Sequence, residues 1–499
     1  MLCRTCFEAG QSNASFLHTS AFNSTLFAIR WVSGASRRKP RIARIKQLKT
    51  PTMLALDHFD FYYGPLFGKR WPSVRLGLLS PNKFVAVVNR FSKDYEMNER
   101  ILRDLGTLNL IEHITAGRAQ PPSHVERKRK KFEEIVAKTQ QEANAAVSET
   151  VSLDDKKNRR ELVDDDFDDG ENVDALRSEA ESMGIFREDK ATFQLHELKK
   201  RDKPKSKRVI LDSEFQITGL EGMGRNVLGV AKDVLAYPRN LNLQVFDRAV
   251  LGDFPAPIRD SYGISSWWLL DGGSVLPVLA LDLQPKDVVL DMCAAPGGKS
   301  LMIAQTQNFS CLTCNDEKLT RLGQLRRGLA MYLPDTCPEA SKIIIKRKDA
   351  SSVESWDEFD VYDKVLLDAP CSTDRLSATQ DENNLFMTVN TTQRLDLPIL
   401  QTRLLINALR SVRVGGSVVY STCTLAPTQN ECVVENASVL ADQYYGIRCV
   451  EQSLQDLRTH TQTSGLYSYS KIGRHGLLVL PTVLSNFGPM YVCKLKRLT

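Results

Sequence analysis

Apolar positions between residues 241 and 499 fall into short runs separated by segments with helical spacing. The runs occupy 287–292, 309–315, 342–347, 361–367 and 417–422, and Leu397, Leu400, Leu404, Leu405 and Leu409 share one face of a helix between the last two. Upstream, Ser266-Trp267-Trp268-Leu269-Leu270 leads into an apolar, helix-like stretch through Leu281. Strands alternating with helices predict an α/β domain, a Rossmann-like and mostly parallel sheet with helices on both faces. Two later runs, Gly476–Leu480 and Met490–Leu495, complete the sheet, the last ending the chain as an edge strand.

The texture differs toward the N-terminus. Residues 50–119 read as a small accessory region, in which Trp71–Leu79 and Phe84–Val88 are β-prone runs around a Ser80-Pro81-Asn82 turn. Over 120–212 the charge comes in blocks: Arg127–Lys131 is basic, Asp164–Asp169 nearly all acidic and Lys199–Arg208 mostly basic. Alternating blocks bury no core, so a flexible insertion or solvated helices are predicted; contact with RNA phosphates is the less common use of such runs. Residues 213–499 form the remaining domain, with its core at 241–499.

Residues 1–49 carry Arg4, Arg30, Arg37, Arg38, Lys39, Arg41, Arg44, Lys46 and Lys49 against one acid, Glu8, amid many Ser, Thr and Ala. That is the pattern of a mitochondrial targeting segment; a basic arm that touches RNA or protein is the alternative. A chain of 499 residues exceeds one compact core, which predicts two or three domains. Its net charge of +6 is too modest to establish a nucleic-acid partner. No run nears the roughly 18 apolar residues of a membrane span, so no membrane insertion is expected. Eleven scattered cysteines favour a reducing compartment over a disulfide framework. Of the two Cys-x-x-Cys pairs, Cys3/Cys6 lies in the targeting segment and Cys311/Cys314 in a strand, where residues three apart face opposite ways, so no metal is predicted.

Candidate chemistry concentrates at strand ends. The Gly-rich turn DMCAAPGGKS directly follows Val288-Val289-Leu290, where an open α/β sheet places its ligand. A phosphate-binding P-loop needs Gly five residues before Gly298-Lys299, but Cys293 stands there, and the dinucleotide fingerprint is also absent. What fits is an adenosyl ligand without polyphosphate. Gly297 and Gly298 let the backbone approach it, and Asp316, after the next strand, is placed for ribose hydroxyls, with a helix N-cap as the alternative. Asp349 and Asp368 repeat the strand-end acid after the third and fourth runs. Two cysteines, Cys371 in VLLDAPCSTDR and Cys423 in VVYSTCTLAPTQNE, each close an apolar run and suggest covalent chemistry with a release step. Cys432, Cys449 and Cys493 read as core residues.

Together DMCAAPGGKS, Asn315-Asp316, DAPCSTDR and YSTCTLAPTQNE resemble, in order and over roughly 241–499, the Nop/Sun-type RNA cytosine-5 methyltransferases, which use S-adenosylmethionine. Asp374-Arg375, Glu382-Asn383-Asn384, Trp71-Pro72-Ser73 and Asn486–Tyr491 resemble the family's mitochondrial branch acting on small-subunit ribosomal RNA, from whose pattern the charged insertion departs. The resemblance implies S-adenosylmethionine bound by Gly297, Gly298, Lys299, Asp316, Arg321, Asp349 and Asp368, with a solvated helix position as the alternative for Arg321. It makes Cys423 the nucleophile and Cys371 the residue assisting release, a division that the residues alone leave open. Lys299 is then a candidate for lowering the thiol pKa, with capping or shaping the loop as the alternative, and Asp368 for holding the methionine end of the cofactor or the base edge. It further implies the mitochondrial matrix, a role in ribosome assembly and a protein partner of the mitochondrial transcription-termination-factor type. Two other readings stand beside it: an RNA-binding assembly factor whose methylation is secondary, and a transfer-RNA methyltransferase.

Overall fold

The computed structural model describes residues 49–116, 228–232, 234–250 and 252–499; the expected charged insertion, and the targeting segment up to residue 48, lie outside the described residues. The N-terminal elements are α1 (Pro51–Phe67), α2 (Trp71–Leu79), β1 (Phe84–Val88), α3 (Tyr95–Asp104), β2 (Thr107–Asn109) and α4 (Leu110–Ala116). After β3 (Val230–Lys232), β4 (Leu243–Phe246) and β5 (Trp267–Asp271) come α5 (Gly272–Ala280), β6 (Val288–Asp291), α6 (Gly298–Thr306), β7 (Cys311–Asn315), α7 (Leu319–Tyr332), α8 (Pro338–Ser341) and β8 (Ile343–Lys346). The chain continues through β9 (Tyr362–Asp368), α9 (Asp374–Thr379), α10 (Thr391–Ser411), β10 (Val412–Thr422), α11 (Glu431–Tyr445), β11 (Cys449–Ser453), α12 (Gln455–Thr463), β12 (Leu477–Val479) and β13 (Met490–Arg497).

Trp71–Leu79, expected to be extended, is a helix. Pro72 stands in its first turn, where a missing N–H costs nothing, and its buried Trp71, Val74 and Leu78 follow helical rather than alternating spacing. They pack with Ala55, Phe59, Tyr63 and Phe67 of α1. Gly77 allows the close approach of the helix to residue 481, since a Cβ there would meet the Pro481 carbonyl oxygen at 2.7 Å. The first sheet, β2-β4-β1-β5, is antiparallel throughout and draws strands from both sides of the charged segment.

The larger sheet runs β3-β11-β13-β10-β9-β6-β7-β8, with β12 added on β13. Its centre is parallel from β8 to β10. Period two explains why both faces are covered. Val289, Leu366 and Val419 join one core with α5, α6 and α7, while their neighbours Leu290, Val365, Leu367, Val418 and Tyr420 join another with α10 and α11. The terminal strand is not an edge: β13 lies between β10 and β11, antiparallel to both. Val492 enters one core and Cys493 and Leu495 the other, so the strand is buried on both faces as an interior position demands. Because β6 sits between β7 and β9, the chain first builds outward to β8 and then returns to add β9 and β10. The reversal opens a crevice at the carboxyl ends of β6 and β9.

Candidate active site

The turn from β6 into α6 is shaped by Gly297, whose φ of +116° suits glycine and whose Cβ, if present, would lie 2.7 Å from Leu325 Cδ1. Asp291, at the end of β6, is buried and accepts from Ser300 Oγ at 2.6 Å, while its Oδ1 has no hydrogen-bond partner among the described residues. Burial pushes its pKa up to about 7. Asp316, just beyond the end of the neighbouring strand β7, is buried as well. Its Oδ1 accepts from Lys318 N at 3.0 Å, and its Oδ2, 3.3 Å from Arg321 Nη1, makes an ion pair without hydrogen-bond geometry. The Arg321 guanidinium also donates to the Ala295 carbonyl, tying α7 to the turn.

Asp368 is the hub of the opposite wall. One carboxylate oxygen accepts from Lys299 Nζ at 2.7 Å and the other from Ser421 Oγ at 2.7 Å, so it joins the start of α6 to the end of β10. Burial works against the Lys299 charge, but Asp368 outweighs it and holds the ammonium above its ordinary pKa. Asp349 differs from the other strand-end acids: it is exposed, and its carboxylate accepts from Ser351 N and Oγ in its own turn.

The register of β9 and β10 brings the cysteines together. Asp368 stands opposite Ser421, so Cys371 and Cys423 leave neighbouring strand ends and their sulfurs meet at 3.0 Å. Cys423 N also donates to Cys371 Sγ at 3.3 Å. Cys371 is only 6% exposed and Cys423 is partly exposed. The contact with Cys371 and then burial push the Cys423 thiol well above its usual pKa, with Lys299 pulling it down. Cys432 and Cys493 are core residues as expected, and Cys449 packs against that core. Sequence reasoning missed Asp291 as a site residue although it opens the quoted motif, and missed Ser421, whose role depends on pairing register.

The donor set fits S-adenosylmethionine. Asp291 Oδ1, and Asp316 Oδ2 beside its Arg321 ion pair, are buried and have no hydrogen bond among the described residues, so both can accept from hydroxyl or ammonium donors, and the glycine turn admits an adenosyl group at close range. When bound, this cofactor supplies a methyl group on a cationic sulfur. Fold and site together define an S-adenosylmethionine-dependent methyltransferase.

The family described as 16S rRNA methyltransferase RsmB/F matches residues 278–495. The chain is 48% identical over 488 residues to the 5-cytosine rRNA methyltransferase nsun-4 of Caenorhabditis elegans, covering 98% of this chain and 99% of that protein. It is 33% identical over 447 residues to the 5-cytosine rRNA methyltransferase NSUN4 of Xenopus tropicalis, covering 89% and 90%. A mitochondrial tRNA (cytosine(34)-C(5))-methyltransferase of Danio rerio is 40% identical over 239 residues, 47% of this chain and 62% of that one. The chain therefore belongs to the RsmB/F (Nop/Sun) family of RNA cytosine-5 methyltransferases.

Proposed function

We propose that the protein methylates carbon 5 of a cytosine in mitochondrial small-subunit ribosomal RNA through a covalent adduct on Cys423, and so acts in ribosome assembly in the matrix. The observation that carries the mechanism is the pair of sulfurs 3.0 Å apart beside the cofactor crevice. Carbon 5 is a poor nucleophile in an electron-poor ring. The Cys423 thiolate adds to carbon 6, and the displaced π electrons make carbon 5 nucleophilic toward the sulfonium methyl. Loss of the carbon 5 proton to a base then restores the double bond as the carbon–sulfur bond breaks, with Cys371 assisting. The target base must leave its stack first, at a cost of about a few kcal/mol, least in loosely paired RNA.

Ribosomal RNA is favoured because the relatives aligned over nearly their whole length are named for it, whereas the transfer-RNA enzyme aligns over 62% of its length. The basic N-terminal composition supports the mitochondrial location. A transcription-termination-factor-type partner belongs to the same proposal and rests on family resemblance. Bisulfite mapping of mitochondrial RNA with and without the protein tests the substrate: loss of one methylated ribosomal cytosine is expected, and loss confined to transfer RNA would replace this reading with the other. An assembly role independent of methylation would be supported only if a catalytically dead variant restored assembly in cells lacking the protein.

Lys299 has a pH-dependent role in this scheme. Its charge favours the Cys423 thiolate, so Lys299→Met raises an already elevated thiol pKa. Each unit of that rise lowers the thiolate fraction near neutral pH about tenfold. The single-turnover rate is expected to fall and its pH profile to move to higher pH, with partial recovery in Lys299→Arg. An unshifted profile would remove Lys299 from thiol activation.

A further inference from the structure

Asp374, the first residue of α9, is wholly buried and joins the residues that immediately follow the two cysteines. Its Oδ1 accepts from Ser372 Oγ at 2.7 Å and from Thr424 Oγ1 at 2.9 Å. Its Oδ2 accepts from Leu425 N at 2.7 Å and from Tyr63 Oη at 2.8 Å. Ser372 is the chain neighbour of Cys371, and Thr424 of Cys423, so one carboxylate bolts both cysteine loops together.

The fourth donor comes from the N-terminal region. Tyr63 lies on α1, is 2% exposed, and is fixed between Phe59, at 5.2 Å between ring centroids, and Trp71, at 5.6 Å. Burial, then Asp374, push its hydroxyl well above the usual phenol pKa, so it stays a proton donor. A buried carboxylate is costly unless its lone pairs are met, and here four donors converge on it. Arg375, the next residue, donates to the Gly77, Ser80 and Gly488 carbonyls and so docks α2 against the same loop.

The geometry points to Asp374, held by Tyr63, as a positioning residue that sets the attacking thiol against the releasing one and makes the N-terminal helices part of the active-site scaffold. This inference rests on the covalent mechanism proposed above. Adduct formation depends on placing sulfur within a few tenths of an ångström of carbon 6, so slack in the clamp should slow attack while leaving the cofactor turn intact.

The test uses the full-length protein in a Cys371→Ala background, which separates attack from release, with labelled S-adenosylmethionine and the ribosomal RNA substrate. Adduct is followed by denaturing electrophoresis, and affinity for S-adenosylhomocysteine by calorimetry. Asp374→Asn is expected to slow adduct formation about tenfold or more, the effect of losing hydrogen bonds to a charged group, with cofactor affinity within about twofold. Tyr63→Phe removes one bond and keeps the ring; a slowing of roughly threefold is expected, and this variant decides the matter if Asp374→Asn does not fold. Unchanged adduct rates overturn the inference, as do rates that fall only in step with cofactor affinity. Failure of Cys371→Ala both to form adduct and to transfer methyl overturns the covalent mechanism and this inference with it, an outcome distinct from a clamp without effect. If Cys371→Ala instead turns over without trapped adduct, the clamp is read from the single-turnover methyl-transfer rate, and an unchanged rate in Asp374→Asn and Tyr63→Phe overturns it.

Discussion

Cys423→Ala is expected to abolish methyl transfer, with a loss of roughly a thousandfold or more, because no residual route makes carbon 5 of cytosine nucleophilic. Cys371 stands 3.0 Å away but is only 6% exposed, so it is poorly placed to substitute. The alanine removes one sulfur at a strand end and leaves Asp291, Asp316 and the Gly297 turn untouched. Affinity for S-adenosylhomocysteine should therefore stay near that of the unmodified protein, which separates lost chemistry from lost folding. Labelled-methyl transfer to the RNA is the measurement, and full transfer by this variant would refute the nucleophile assignment.

The parts of this site that were legible in the sequence share one property: each sits at the end of an apolar run. Alternation marked β6, β7, β8, β9 and β10, and the residues just beyond them, Asp316, Asp368, Cys371 and Cys423, inherited their positions. What periodicity does not carry is partner choice. The run at Met490–Leu495 was visible as a strand, but its place between β10 and β11 depends on which strands pair, and β11 itself, with the sequence Cys449-Val450-Glu451-Gln452-Ser453, is too polar to stand out. Trp71–Leu79 combines aromatic and aliphatic residues that suit either state, and burial against α1 decides for the helix. Asp374 was visible only as part of a family pattern, since its partner Tyr63 lies 311 residues away and neither contact nor burial is written locally. Asp291 was hidden for a related reason: an acid at a strand end looks like any other until its enclosure is known.

Cys371→Ala is expected to convert a turning-over enzyme into one that stops after a single covalent event. The two thiols are chemically alike, so their different jobs must come from placement. Cys423 is the more exposed of the pair and carries the influence of Lys299, while Cys371 is buried behind it and accepts the Cys423 backbone N–H. Attack needs access to the base, which favours Cys423. Release needs a polar group beside the bonded sulfur, which describes Cys371. With Cys371 removed, addition to carbon 6 and methyl transfer should still proceed, but proton loss and elimination should slow, and a protein–RNA complex resistant to denaturing electrophoresis should accumulate in place of free product. The Cys371→Ala, Cys423→Ala double variant should show no such complex, which ties the trapped bond to Cys423. Normal turnover by Cys371→Ala would contradict the release role.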